Sequence, residues 1–145
     1  MTLTVEIARV VSDELVEGLN RLLPQLSNSA ASLTYADVTR LVQSPCSNVF
    51  VARSDGAVVG TLTLVVFPIP TGLRAWIEDV VVHESARGTG VGAALTWAAV
   101  DEAKSRNVRS IDLTTRPSRE GANRLYARLG FERRETNVYR FSIDG

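Results

Sequence analysis

Polar and apolar positions alternate with a period of two through Thr4-Val5-Glu6-Ile7-Ala8-Arg9-Val10, which predicts a strand. Ser12 then stands as an N-cap before the acidic pair Asp13-Glu14, and Leu15, Val16, Leu19, Leu22 and Leu23 recur at helical spacing. Pro24 and Ser27-Asn28-Ser29 are expected to end that helix. A shorter helix is predicted from Thr34 through Tyr35, Val38, Leu41 and Val42, stopping before Pro45. Two strand-like runs, Val49–Ala52 and Val58–Phe67, flank Ser54-Asp55-Gly56 and read as a hairpin. Pro68 to Gly72 reads as a loop.

Trp76 to Val82 reads as a strand buried on both faces, interrupted by the adjacent carboxylates Glu78 and Asp79. An apolar helix follows (Ala93, Ala94, Leu95, Trp97, Ala98, Val100), then a strand at Ser110–Thr115. A helical stripe of Ala122, Leu125, Tyr126 and Leu129 closes at Gly130, a residue suited to the left-handed position after a helix. Val138–Phe141 is expected to be the last strand. The order β-α-α-β-β-β-α-β-α-β predicts an α/β fold with a mixed sheet, and residues 1–145 are read as one domain with no linker or repeat.

Composition narrows the function. Sixteen basic residues balance sixteen acidic ones, against the strong positive charge of a constitutive nucleic-acid binder. The lone Cys46 excludes an intrachain disulfide and a cysteine-based zinc site, and no metal is expected. No apolar run approaches the ~18 residues of a membrane span, and the N-terminus has no secretory pattern, so a cytoplasmic location is expected. The zero net charge hides a gradient: residues 1–86 carry five basic and nine acidic side chains, residues 87–145 eleven and seven. A basic second half suits an anionic ligand.

The richest segment is Val80-Val81-Val82-His83-Glu84-Ser85-Ala86-Arg87-Gly88-Thr89-Gly90-Val91-Gly92-Ala93. Alternating glycines between a strand and a helix let the backbone approach a ligand and turn its N–H groups one way. The helix start adds unpaired N–H groups and the positive end of its dipole, and Arg87 adds a full charge: the requirements of a pyrophosphate. Gly88-x-Gly90-x-x-Ala93 formally matches the dinucleotide fingerprint, with Asp112 about 20 residues on. The context is wrong, because five residues separate the strand from the first glycine and too few strands follow. No Gly-Lys-Ser/Thr is present for an ATPase loop.

Arg87-Gly88-Thr89-Gly90-Val91-Gly92 resembles the acyl-CoA loop of the GNAT superfamily of N-acetyltransferases, whose pattern is Gln/Arg-x-x-Gly-x-Gly/Ala. The preceding Val80-Val81-Val82 and the later Leu125-Tyr126-Ala127-Arg128-Leu129-Gly130-Phe131 extend the resemblance, and Ile77-Glu78-Asp79 resembles members that acetylate small amino compounds. The resemblance implies a single acyl-CoA N-acyltransferase domain. Its activity would be transfer of an acetyl group from acetyl-CoA to a primary amine of a small molecule or an exposed protein amine, with no membrane or nucleic-acid partner.

It also implies that Arg87, Gly88, Thr89, Gly90, Val91 and Gly92 hold the pyrophosphate, and that free N–H groups at Val80, Val81 and Val82 bind pantetheine and the thioester oxygen. Tyr126 would return a proton to the leaving thiolate, and Glu78, ahead of Asp79, would serve as the base. The bland counterparts are a core aromatic for Tyr126 and arginine pairing for the carboxylates. His83 reads as a loop histidine, and Cys46 has no neighbouring base. Many members place an Asn seven residues before the tyrosine; Arg119 stands there here, with Asn123 three residues before it. Residues 24–36 and 66–74, expected to wall the acceptor site, hold Arg74 and no acid. The exposed Val138–Phe141 strand is compatible with a homodimer. The rival reading is a catalytically silent acyl-CoA-binding sensor.

Overall fold

The computed structural model describes residues 2–143; Met1, Asp144 and Gly145 of the expected domain lie outside the described residues. The chain divides into two compact units, Met1–Leu113 and Thr114–Gly145, each described by itself.

In the first unit the elements run β1 (Leu3–Ile7), α1 (Asp13–Leu26), α2 (Tyr35–Gln43), β2 (Ser47–Ser54), β3 (Ala57–Ile69), β4 (Gly72–Val82), α3 (Val91–Ser105) and β5 (Ile111–Asp112). They form a five-stranded sheet in the order β1-β2-β3-β4-β5, antiparallel except for the parallel β4–β5 pair. This is the mixed α/β architecture expected from the patterning.

Local chemistry explains most boundaries. The Ser12 side chain accepts the Leu15 N–H at 3.1 Å and starts α1. Pro24 does not end that helix, which runs on to Leu26. Its missing N–H leaves the Asn20 carbonyl, in the turn before it, without its helical partner, and the helix continues for two residues. Thr34 and Asp37 form a reciprocal capping box at the start of α2. Asn20 binds both the N–H and the carbonyl of Leu33, at 2.8 and 3.0 Å, tying the α1–α2 loop back onto α1. Asp55 and Gly56, both with positive φ, make the two-residue turn of the β2–β3 hairpin. The expected loop at Pro68–Gly72 shrinks to Pro70-Thr71, because β3 and β4 pair as far as Ile69 and Gly72.

The sheet is covered on both faces. Leu15, Leu19 and Leu22 of α1 and Val38 of α2 pack with Val49, Val51, Val58 and Val81 in one cluster. The intervening residues, Phe50 and Ala52, lie on the opposite face, where Gly60 stands across from Ala52. A Cβ on Gly60 would lie 3.0 and 3.1 Å from Val91 and Leu95, so the missing side chain lets α3 seat close against β3. Val91, Leu95, Ala99 and Ala103, four residues apart along α3, are all buried on that side.

The second unit contains α4 (Glu120–Arg128), followed by residues with no strand pairing. Val138–Phe141 is therefore a correction to the expected last strand. A strand needs a neighbour to satisfy its backbone, and among the described residues of this unit these residues have none; Tyr139 and Phe141 are each 89% exposed.

Candidate functional site

The site is built around a break in β4. Opposite β3, Thr63 pairs with Glu78 and Thr61 with Val81, so Asp79 and Val80 together face the single residue Leu62. Asp79 takes the extra position with φ +50, a conformation that Asp adopts more readily than other side-chain-bearing residues.

The bulge reverses the facing of the strand. Residues directly across the ladder share a face. Val51, Thr61 and Val81 stand in line, as do Val49, Thr63 and Glu78. Val81 therefore joins Trp76 and Glu78 on the α1/α2 face, while Ala75 and Ile77 are buried on the α3 face. Simple alternation would group Glu78 with both Trp76 and Val80; the bulge keeps the first and removes the second. The strand is not buried on both faces throughout, since Glu78 and Asp79 are both exposed. Simple alternation, which would aim these two carboxylates at opposite faces, stops at the bulge.

β4 also has a free edge. Its pairing with β5 is confined to Ala75↔Ile111 and Trp76↔Asp112. Beyond Trp76 the β5 side of β4 has no ladder within this unit. His83 donates its N–H to the Val59 carbonyl at 2.7 Å. A strand directs successive N–H groups to opposite sides, so the N–H of Val82 points to the open edge and that of Val81 to β3. Three consecutive valines cannot all present free N–H groups there.

After β4 the chain makes one 3-10 turn, Glu84–Ala86, capped by His83, whose Nδ1 accepts the Ser85 N–H at 3.1 Å. Gly88 and Gly90 follow with φ +79 and +87. Nothing lies within 4 Å of a Cβ built on either, so these positions are glycine for their dihedral angles and not for want of space. Gly90 is the N-cap of α3 with no side-chain cap. Ala94 is the first residue to bond back, to the Gly90 carbonyl at 3.0 Å, and the N–H groups from Gly88 to Ala93 have no partner among the described residues. A run of orphan donors at the positive end of a 15-residue helix is an anion site made of backbone.

The loop is anchored from α1. Gln25 Oε1 accepts from the Glu84 N–H at 3.0 Å and from the Arg87 guanidinium at 3.4 Å, while the Thr89 hydroxyl donates to the Ala86 carbonyl at 2.5 Å. Gln25 escaped the sequence reading, because nothing in its neighbourhood signals a partner about sixty residues away.

In the second unit, Tyr126 sits half-buried on α4, its ring 5.7 Å from that of Phe131 in an edge-to-face contact. Burial pushes the phenol above its ordinary value near 10, against a smaller opposing pull from the Arg119 charge. The group is thus neutral at physiological pH. Asn123 donates to the carbonyls of Arg116 and Arg119 at 2.9 and 2.8 Å, closing the loop that leads into α4. Its amide nitrogen is engaged in that loop. Arg119 is the N-cap residue and caps nothing through its side chain. Cys46 is exposed.

Comparison with known proteins agrees with this geometry. Residues 15–131 match the Acetyltransferase (GNAT) family. The chain is 36% identical over 75 residues to N-alpha-acetyltransferase 30 of Schizosaccharomyces pombe, covering 52% of this chain and 49% of that protein. It is 36% identical over 95 residues to the glucosamine 6-phosphate N-acetyltransferase of Trypanosoma brucei brucei, covering 63% of each. The chain thus spans about half to two-thirds of these relatives. A putative acetyltransferase from Agrobacterium tumefaciens superposes with a TM-score of 0.85 at 27% identity, over 96% of this chain and 99% of that one. With the match covering most of its length and the glycine loop in place, the chain belongs to the Acetyltransferase (GNAT) family.

Proposed function

We propose that the protein transfers an acetyl group from acetyl-CoA directly to a primary amine of a small molecule or an exposed protein amine. The observation that carries this reading is the run of unpartnered N–H groups from Gly88 to Ala93, at the end of a strand that exposes two carboxylates. A polyanionic carrier fits the first feature and a cationic acceptor the second. The relatives' names point to two kinds of acceptor, an N-alpha amine and an amino sugar phosphate.

In the proposed reaction the loop backbone and Arg87 take the pyrophosphate. Glu78 draws the amine and accepts its proton, directly or through water. The neutral nitrogen attacks the thioester carbon, and the oxygen gains charge that the Val82 N–H on the open edge stabilises. The C–S bond breaks, the Tyr126 hydroxyl delivers a proton to the departing sulfur, and the proton left on the new amide nitrogen passes to solvent water, which returns one to the phenolate. The products are an amide and CoA thiol.

Steady-state acetyl transfer across a panel of amines tests the proposal. Tyr126→Phe is expected to lower kcat about 100-fold with little change in the KM for acetyl-CoA. A variant that keeps most of its kcat removes the hydroxyl from the mechanism. The elevated phenol pKa gives a sign: activity that needs the protonated phenol is fully present below the ordinary tyrosine value and is lost only above it. An alkaline limb that persists unchanged in Tyr126→Phe belongs to another group and contradicts the assignment. Tight acetyl-CoA binding with no turnover on any amine identifies a CoA-binding sensor instead.

A further inference from the structure

The α1/α2 face of β4 carries a charge gradient before the bulge. Arg74, Trp76 and Glu78 alternate on this face over four residues, about 13 Å of strand. Asp112 of β5 stands across from Trp76. At the Glu78 end, Glu78 and Asp79 are exposed and neither has an ion-pair partner among the described residues. At the other end Arg74 contacts Asp112 at 2.5 Å through one terminal nitrogen. Its Nε is buried without a partner, its second terminal nitrogen has none among the described residues, and its side chain is 38% exposed.

A second arginine reaches the same end. Arg109 lays its side chain over Gly72, where a Cβ would come within 2.9 Å of its Cδ, and donates to the Thr71 carbonyl at 2.6 Å. The start of the strand therefore holds two guanidiniums, of which Arg74 pairs with Asp112 and Arg109 with the Thr71 carbonyl, and the bulge holds two carboxylates without an ion-pair partner among the described residues. An acceptor that is only a cation uses half of this arrangement.

We infer that Arg74 is a specificity-determining residue for the acceptor, and that the acceptor is a primary amine bearing a carboxylate or phosphate about 10 Å from its nitrogen, three residues of extended peptide. The amine lies at Glu78, the connecting atoms cross Trp76, and the anion takes the second terminal nitrogen of the Arg74 guanidinium, a group suited to oxyanions. Asp112 holds Arg74 in place while leaving that nitrogen without a partner among the described residues. The inference rests on the proposed acetyl transfer.

The test compares matched acceptors with acetyl-CoA: triglycine against triglycinamide for a carboxylate, and glucosamine 6-phosphate against glucosamine for a phosphate. The wild type is expected to favour the charged member of at least one pair by about tenfold or more in KM; whichever pair shows it identifies the anion. Arg74→Gln abolishes the preference by raising KM for the charged member towards that of the neutral one. Asp112→Asn, which releases the guanidinium while keeping the side chain's size, lowers KM for the charged member. If Arg74 only fastens β4 to β5, both variants impair charged and neutral acceptors alike, and the inference fails. Equal use of both members of each pair by the wild type also overturns it while leaving acetyl transfer intact. No turnover of any amine overturns both.

Discussion

The two ends of β4 present different chemistry. After Val82 the anion site is made of main chain: two left-handed glycines and the first turn of α3 supply unpaired N–H groups. Before the bulge the face is made of side chains: Arg74, Trp76, Glu78 and their neighbour Asp112. A backbone site depends on dihedral angles and tolerates changes of side chain. A side-chain site depends on which way each residue faces, and one inserted or deleted residue reorients it.

That contrast can be broken most sharply at Gly90. Gly90→Val forces a β-branched residue to φ +87, and CoA affinity measured by calorimetry is expected to fall about 100-fold, ~2.7 kcal/mol. Gly90→Asn, whose side chain accepts the left-handed region, stays within about fivefold. Both variants are expected to fold, since a Cβ there meets nothing within 4 Å. Equal losses in the two place the effect in side-chain bulk and not in the dihedral angle.

A smaller effect is expected at the other end. Glu78→Gln keeps the shape of the side chain and removes its charge, lowering kcat by about 10- to 100-fold with CoA affinity unchanged. A fall in CoA affinity of similar size means that the two ends are not separate sites. Asp79→Gly relieves an αL residue and is expected to raise stability by about 1 kcal/mol in thermal unfolding. A loss of stability means that the Asp79 side chain, and not its backbone, holds the bulge. The smallest change is expected at the rim of the loop. Arg87→Gln removes an exposed charge beside the backbone donors and costs CoA affinity about threefold, less at high salt. A loss rivalling that of Gly90→Val would make the loop a side-chain site after all.

Much of this was legible before folding. The glycines of the loop, the leucines of α1 and the turn at Asp55-Gly56 announce themselves because their roles depend on local conformation or a single periodicity. The adjacent carboxylates Glu78 and Asp79 marked β4 as unusual. What they signalled was a bulge, and alternation alone assigned them to opposite faces. Pro24 shows the reverse error, a breaker with two further helical residues beyond it. At Val138–Phe141 the strand pattern is real, but a strand exists only where another chain segment offers its backbone.

By itself, then, the sequence determined the elements whose causes are local: the caps, the turns, the apolar stripes and the glycine loop with its orphan N–H groups. The tertiary structure decided everything that depends on register. It set the bulge at Asp79 against Leu62 and the open edge that receives the Val82 N–H. It also set the Gln25 anchor on the loop and the pairing of Arg74 with Asp112, thirty-eight residues away. The physical reason is that a ladder aligns residues distant in sequence. A shift of one position turns every later side chain to the other face, and no local pattern records where that shift falls.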